Sequence, residues 1–396
     1  MKALVIALSL LLTGAASAST LILVKRGGDD EPAATSAPSQ HASAAGNPHP
    51  MAGQFEPDAT RLAECDAQPC YERAFGNIAY RQGPKAALRI FDERIGSNPA
   101  VEAGCHRIVH TIGSASLARY DGNVARAFAE GSASCWSGYY HGILSFAFAG
   151  VTDEQKLGAV SRGLCDDAEI RRTTHLAYQC VHGLGHGLML HTGYNLPFAL
   201  QTCDKLATDW DRKSCSGGVF MENITPSLGT QSKWLKKNDL VYPCNAVKDR
   251  HKLYCYLMVT SRILQANGYD WKEAAALCTK VERGWVATCF QSYGRDASGF
   301  TRQSPQRVLE LCLAARGGTD ECVYGAARDM TSNYANGERA SQLCKIAPAA
   351  MRARCFNGIG TVLGGLAVTS AERQSACRGL TRRYVLPCLR GTGEPV

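Results

Sequence analysis

The sequence predicts an all-α protein, specifically a right-handed α-solenoid of helix hairpins that are each closed by a disulfide bond. Three observations lead to this prediction: eighteen cysteines in 396 residues, a regular spacing of the last twelve cysteines, and helix-forming segments between them. A period in the low thirties is typical of solenoids whose repeats are pairs of helices. We therefore expect stacked two-helix repeats, with one disulfide inside each repeat.

The last twelve cysteines define the period. Members of a consecutive pair lie 10–12 residues apart, and the first members advance by 41, 34, 34, 32 and 33 residues. In a helix hairpin, this spacing brings a cysteine at the end of the first helix opposite one near the start of the second, within the roughly 4.4–6.8 Å Cα separation of a disulfide. The predicted pairs are Cys203–Cys215, Cys244–Cys255, Cys278–Cys289, Cys312–Cys322, Cys344–Cys355 and Cys377–Cys388.

The first six cysteines have irregular spacing. Nearest-neighbour pairing predicts Cys65–Cys70, Cys105–Cys135 and Cys165–Cys180. A metal store built on rows of thiolates is the alternative for so cysteine-rich a chain. It would favour cysteines one helical turn apart, and the sequence contains no Cys-x-x-x-Cys.

Helix-start signals fall where this layout needs them. Asp270 followed by Glu273 has the pattern of a capping box. Ser304 before Pro305 places a capping residue ahead of a proline in the first turn. Between such starts, a helix of roughly 10–14 residues, a short turn and a second helix fill one period.

The period and hairpin layout resemble those of tetratricopeptide and Sel1-like repeat proteins. The resemblance is close over residues 200–396 and loose over residues 65–200. It implies an architecture only, because the consensus residues of the tetratricopeptide repeat do not occur at matching positions. No catalytic residues can be carried over from it.

The N-terminus predicts export. Residues 1–26 read as a signal peptide or membrane anchor, because Lys2 precedes an apolar run that contains the small-residue cleavage pattern Ala16-Ser17-Ala18. An Ala/Ser/Pro-rich tether follows at 27–57, then histidine-rich irregular repeats at 58–200 and regular repeats at 201–396. Eighteen cysteines also fit an oxidising compartment. We expect the periplasm or the outer face of the cytoplasmic membrane, with a membrane tether as one option.

Glycine recurs three residues after the second cysteine of several pairs. A helical glycine costs about 1 kcal/mol relative to alanine, so its recurrence predicts that another backbone approaches closely at these positions. The glycines concerned are Gly138, Gly183, Gly218, Gly325 and Gly358.

Five histidines follow the same alignment. Cys135 and Cys180 both begin the pattern C-x-x-G-x-x-H-G. Shifting the helix that starts at Cys105 by one residue places histidines at the same height on three neighbouring helices. The set is His106, His110, His141, His182 and His186.

These histidines predict a transition-metal site. Two imidazoles four residues apart and a third from an adjacent helix supply the protein ligands of an open, catalytic-type site. Imidazole-rich, carboxylate-poor surroundings favour zinc, copper or iron over calcium or magnesium. Two alternatives stay open. One is a metal-dependent enzyme with an acid or base among Asp166, Asp167 and Glu222 and with Tyr139 or Tyr140 near the substrate. The other is a scaffold whose histidines are core residues.

The C-terminal half is basic. From residue 245 onward there are 21 Lys and Arg against 12 Asp and Glu. Arg295 and Arg328 replace the histidines at equivalent positions, and we predict that they bind an acidic protein, an acidic polymer or an anionic membrane surface. Ion pairs within the solenoid are the alternative. No nucleic-acid partner is expected, because the chain is exported and has no motif of interleaved aromatic and basic residues.

Overall fold

Helices and loops make up the part of the chain described by the computed structural model, which covers residues 55–132, 134–148, 151, 153–226 and 232–394. This part contains no strand, so the all-α prediction is confirmed. The predicted signal or anchor segment lies outside the described residues, as does the tether up to residue 54. None of the described helices has the length and apolar character needed to cross a bilayer. The handedness of the stack stays a prediction.

The histidine-rich half contains nine helices among its described residues. Short and long helices alternate irregularly here. They are α1 (Gln68–Gln82), α2 (Pro84–Ile95), α3 (Pro99–Ala103), α4 (Cys105–Arg119), α5 (Val124–Ala129), α6 (Ser134–Phe146), α7 (Glu154–Gly163), α8 (Ala168–Arg171) and α9 (Thr174–His191).

The second half alternates a short first helix with a longer second helix in most repeats. Its helices are α10 (Leu196–Cys203), α11 (Asp209–Ile224), α12 (Asp249–Tyr256), α13 (Val259–Ala266), α14 (Trp271–Cys278), α15 (Val286–Phe300), α16 (Pro305–Ala314), α17 (Thr319–Tyr334), α18 (Glu338–Ile346), α19 (Ala349–Leu366), α20 (Ser370–Leu380) and α21 (Val385–Gly391). Two 3₁₀ turns, Leu62–Glu64 and Arg283–Trp285, complete the described helical elements.

Predicted helix starts are mostly confirmed. The side chain of Asp270 accepts a hydrogen bond from the backbone N–H of Glu273 at 2.9 Å and caps α14. The reciprocal half of the predicted capping box is not formed, because the backbone N–H of Asp270 donates to Asn267 Oδ1 instead. Helix α16 begins at Pro305, but the side chain of Ser304 makes no capping hydrogen bond, so that part of the prediction is wrong. Several first helices have only 8 or 9 residues and are shorter than expected.

All nine predicted disulfides are present. Their Cα–Cα separations lie between 5.3 and 6.0 Å. No cysteine in the described part of the chain is free. A thiolate metal store is thus excluded for these residues. Nine disulfides suggest that the protein folds in an oxidising compartment outside the cytoplasm.

The repeat around Cys244 departs from the predicted hairpin. Cys244 lies in a turn rather than at the end of a first helix, and it follows the cis Tyr242–Pro243 bond. The second helix of this repeat is interrupted between α12 and α13, at Leu257 and Met258. The 41-residue step after Cys203 therefore marks a loop that replaces a helix.

The longer helices form the inner stack of the molecule. Contacts run from α1 through α4, α6 and α9 to α11, and then from α15 through α17 and α19 to α21. The predicted close approach of another backbone is confirmed at Gly138, Gly218, Gly325 and Gly358, but not at Gly183, where the nearest atoms belong to the Leu144 side chain. A Cβ on Gly138 would lie 2.8 Å from the carbonyl oxygen of His106, and one on Gly218 would overlap the carbonyl oxygen of His182.

The stack also bends back on itself. Helix α17 contacts α6, and α19 contacts α9, although these helices are far apart in the sequence. An ion pair between Arg302 and Glu102 at 3.5 Å joins the same two halves. The C-terminal repeats therefore pack beside the histidine-bearing repeats, an arrangement that the local periodicity did not predict.

Candidate metal centre

Three neighbouring helices of the inner stack bring the five predicted histidines together. Helix α4 carries His106 and His110, α6 carries His141, and α9 carries His182 and His186. Ring centroids lie 4.7 Å apart within the first pair and 5.2 Å apart within the last. His141 lies between the pairs, 5.6 Å from His106 and 4.7 Å from His186. The predicted register of the three helices is confirmed.

Two triads within the cluster could hold a metal ion. In each, the candidate ligand atoms lie within 4.8 Å of one another. The first consists of His106, His110 and His141, and the second of His141, His182 and His186. His141 belongs to both triads and occupies the centre of the cluster.

The cluster is deep in the fold, and burial lowers the pKa of four of its five rings. His141, His182 and His186 are each 2% exposed, whereas His106 and His110 are partly exposed. Burial holds the pKa of His110, His141 and His182 well below the usual histidine value, and neighbouring histidines add to the shift. Burial lowers the pKa of His106 as well. Since a metal binds the unprotonated nitrogen, these rings are already in the ligating form at neutral pH.

Hydrogen bonds fix the orientation of two rings. His106 Nδ1 donates to the carbonyl oxygen of Cys135 at 2.8 Å. His186 Nδ1 donates to Glu222 Oε2, also at 2.8 Å, and Tyr194 donates its hydroxyl proton to Glu222 Oε1 at 2.9 Å. With the proton held on Nδ1, the lone pair of each ring is on Nε2. Such outer hydrogen bonds orient metal-ligating histidines and increase their basicity.

Three ring nitrogens of the cluster are buried without a hydrogen-bond partner among the described residues. They are His110 Nε2, His141 Nδ1 and His186 Nε2. A buried polar atom without a partner costs roughly 1–3 kcal/mol. Three such atoms in one cluster fit a site in which a cation accepts their lone pairs.

Covalent and steric constraints fix the helices that carry the histidines. The Cys105–Cys135 disulfide joins the first turn of α4 to the first turn of α6, directly beside His106. A Cβ on Gly142 would overlap the carbonyl oxygen of His110. The bridge and the glycine together set the close spacing of α4 and α6 on which the first triad depends.

Two tyrosines at the site were not predicted from the sequence. The ring of Tyr178 stacks on His182 at 5.1 Å, and its hydroxyl lies 3.3 Å from His182 Nδ1. Tyr178 precedes His182 by four residues. Extending the predicted helix by one turn before Cys180 would therefore have placed both side chains on the same face. Tyr194 follows the end of α9, and no local pattern links it to Glu222.

The residues named for the enzyme alternative are mostly elsewhere. Asp166 pairs with Arg171 at 3.1 Å, and Asp167 caps α8. Tyr139 donates its hydroxyl proton to the carbonyl oxygen of Ala127 at 2.7 Å, and Tyr140 packs against Phe128. Glu222 is the exception, but both of its carboxylate oxygens already accept hydrogen bonds, from His186 and Tyr194, so it orients His186.

Arg295 and Arg328 are partly buried, and Arg328 lies on α17, which contacts the His141-bearing helix α6. The Arg295 guanidinium pairs with Asp296 at 2.7 Å and donates to Ser261. Its positive charge contributes to the lowered pKa of His182. The guanidinium of Arg328 lies 5.7 Å from the ring centroid of Tyr324. Partner binding by these arginines stays a prediction.

The remaining buried histidines have structural environments. His191 Nε2 donates to the carbonyl oxygen of Val151 at 2.6 Å, and His251 Nδ1 lies 3.2 Å from Ser216 Oγ. His175, at the start of α9, belongs to neither triad. Among the histidines of the described residues, the five of the cluster are the ones that converge.

Comparisons of the chain with protein-family models, curated proteins and solved structures return no match. The chemistry of the site rests on its donor atoms. Neutral imidazoles suit zinc, copper or iron, and three of them leave a fourth position of a tetrahedral ion open.

Proposed function

We propose that the chain is an exported helical-repeat protein that binds a transition-metal ion through its histidine cluster. The convergence of five histidines on two triads that share His141 carries the proposal. The outer pair Glu222–Tyr194 supports it, because a carboxylate that accepts from a ligating imidazole is a recurring feature of such sites. The nine disulfides support a location in the periplasm or on the outer face of the cytoplasmic membrane.

One ion per chain is the stoichiometry that we propose. If each triad held an ion, both ring nitrogens of His141 would have to be deprotonated. A single ion needs only one of them, and it can be held by either triad. Zinc fits best, because it binds three imidazoles in tetrahedral geometry and needs no carboxylate ligand. Copper and iron are the other candidates.

The test is metal titration of the chelator-treated protein by calorimetry, with Zn²⁺, Cu²⁺ and Fe²⁺ in turn. We expect one equivalent of zinc to bind, and His141→Ala to weaken binding more than the about 10–100-fold loss typical of an outer-shell change. His175→Ala is the matched control, since it removes a partly buried histidine from α9 outside the triads. Binding that is unaffected by His141→Ala would refute the proposal.

A metal-dependent enzyme is the second candidate. It is favoured by the open fourth position of a three-histidine site and by the partial exposure of His106 and His110. A metal in such a site lowers the pKa of a bound water to about 7. Azide titration of the Co²⁺-substituted protein would test access to this position. A shift of the visible spectrum supports an open site, and an unchanged spectrum supports a closed, structural one.

Partner binding by Arg295 and Arg328 belongs to this proposal as well. Both arginines lie on the side of the molecule that packs against the histidine-bearing helices. We therefore propose that they bind a small anionic group at the metal site rather than a large acidic surface. Because Asp296 offsets the charge of Arg295, Arg328 is expected to contribute more. Arg328→Gln should weaken azide binding to the Co²⁺ protein more than Arg295→Gln does. Equal affinities in both variants and the unmodified protein would contradict this role.

A further inference from the structure

A second concentration of charge lies at the C-terminal end of the stack. Between residues 339 and 390 there are nine Lys and Arg and a single acidic residue, Glu372. Glu372 accepts hydrogen bonds from the backbone N–H groups of Val368 and Thr369 at the start of α20. Its charge is thus engaged at a helix terminus. Two of the nine cations, Arg354 and Arg373, pair with Glu321 and Glu394 outside this range, and the other seven form no ion pair among the described residues.

Five of these cations surround one cleft. The cleft has a volume of about 640 Å³ and lies between the last two repeats, where α18, α19, α20 and the loop before α21 meet. No carboxylate lines it. The cationic lining residues are Lys345, Arg352, Arg378, Arg382 and Arg383.

None of the five forms an ion pair with a carboxylate within the described part of the chain. Arg352 donates to the carbonyl oxygen of Ala347, Arg378 to Gln374, and Lys345 to Ser341. These partners are neutral, so they position the side chains without cancelling their charge.

The base of the cleft is aromatic and rigid. Phe356 is 1% exposed, and its ring stacks on that of Tyr384 with centroids 5.3 Å apart and planes 9° apart. The guanidinium of Arg383 lies 5.7 Å from the ring centroid of Tyr384. The Cys344–Cys355 and Cys377–Cys388 disulfides hold the helices that form the walls. The cleft is therefore preformed.

We propose that this cleft binds a compact ligand with several phosphate groups. One phosphate monoester carries about 1.5–2 negative charges and three acceptor oxygens, so two or three phosphates balance the five cations within the volume of the cleft. An acidic peptide advances about 3.3 Å per residue and spreads the same charge over a much longer path. Four of the five cations are arginines, whose planar fork matches phosphate oxygens. The inference does not depend on metal binding at the histidine cluster.

The experiment uses inorganic tripolyphosphate as the probe and the full chain in phosphate-free buffer, with calorimetry at about 0.15 M salt, where long-range attraction is screened. We expect a single site. Arg378→Gln with Arg382→Gln should weaken binding about tenfold or more, because a hydrogen bond to a charged group contributes on that order. Both side chains are exposed, so the variant is expected to fold, and circular dichroism would verify it.

The matched control is Arg307→Gln with Arg316→Gln. It removes the same charge from exposed arginines outside the cleft. Any heat from chelation of metal by tripolyphosphate would be the same in both variants. Binding retained in the control and lost in the cleft variant supports the proposal. Absent binding, equal losses in both variants, or tighter binding of hexaglutamate than of tripolyphosphate would overturn it.

The same variants distinguish two sources of the ligand. Vesicles of phosphatidylcholine with a minor fraction of phosphatidylinositol bisphosphate present clustered phosphates on a membrane. Co-sedimentation that depends on Arg378 and Arg382 assigns the cleft to a lipid headgroup. Tripolyphosphate binding without co-sedimentation assigns it to a soluble phosphate ligand. Both results support a phosphate site.

Discussion

The imidazole of His186 donates to the carboxylate of Glu222 across 2.8 Å, in a setting where the two side chains are 2% and 0% exposed. Tyr194 donates to the other carboxylate oxygen. This chain of groups holds the His186 proton on Nδ1 and leaves the lone pair of the ring on Nε2, which is buried without a hydrogen-bond partner among the described residues. If the cluster binds a metal, Glu222 sets the orientation and basicity of one of its ligands.

Glu222→Gln is expected to weaken metal binding by about 10–100-fold, the usual effect of an outer-shell change. The amide keeps the shape of the side chain but loses the charge that strengthens the hydrogen bond. Competition with a chromophoric chelator would measure the dissociation constant. Tyr194→Phe is the graded control, because it removes one hydrogen bond to Glu222 and keeps the charge. An unchanged dissociation constant in Glu222→Gln would place His186 outside the metal site.

Gly142→Ala is expected to destabilise the fold and to disrupt the first triad. The added Cβ would overlap the carbonyl oxygen of His110, so α4 and α6 must move apart, at a cost of about 1–3 kcal/mol in the free energy of unfolding. Urea unfolding would measure it.

Gly379→Ala is the matched control for that change. Gly379 lies in α20, and a Cβ there has no neighbour within 4 Å. The substitution should be neutral or stabilise by up to about 1 kcal/mol. Equal stability of the Gly142→Ala and Gly379→Ala variants would show that the close approach of α4 and α6 does not exclude a Cβ at residue 142.

The regular disulfides are expected to stabilise the repeats in which they lie. The double change Cys278→Ser and Cys289→Ser opens a loop with a sequence separation of 11, and it should lower the free energy of unfolding by about 2–3 kcal/mol in the chain-entropy model. Urea unfolding again provides the value. A thiol count on the unmodified protein, denatured without reductant, should be close to zero, and two or more thiols would contradict the pairing.

Acid is expected to destabilise the metal-free protein. Burial lowers the pKa of His175 to about 4, whereas in the unfolded chain it is near the ordinary value of about 6.5. Between these values the unfolded state binds more protons, so the free energy of unfolding falls as the pH decreases through this window. His110, His141 and His182, whose pKa values burial also lowers, act in the same direction.

Urea unfolding at about pH 7 and pH 5, within the range where histidine charge changes, would test this expectation. His175→Gln should show a smaller loss of stability on acidification than the unmodified protein, because the glutamine does not titrate. An equal loss in both proteins would assign the pH dependence to other groups.

Much of the fold could be predicted because its main constraints are local in the sequence. Disulfides between neighbouring cysteines close short loops, and helical spacing places His182 and His186 on one face. The glycine in C-x-x-G-x-x-H-G marks where backbones touch, so aligning the helices on their cysteines also aligned His141 with the other histidines.

The rest depends on contacts between distant parts of the chain. Glu222 was one of three candidate carboxylates, and only the packing of α9 against α11 brings it to His186. The return of α17 to α6 follows from the curvature accumulated over several repeats, which no single period encodes. The sequence therefore predicted Arg295 and Arg328 as part of a binding face. It did not predict that the C-terminal repeats bring them close to the histidine-bearing helices. The turn at Cys244 was missed because its spacing from Cys255 resembles that of a hairpin.

Anomalous diffraction from crystals of the zinc-loaded protein at the zinc edge tests the central claim most directly. The account predicts one strong peak within the cluster, about 2.0–2.1 Å from the nitrogens of three histidines, with His141 among them. A peak elsewhere on the protein, or no peak among these five histidines, would contradict it.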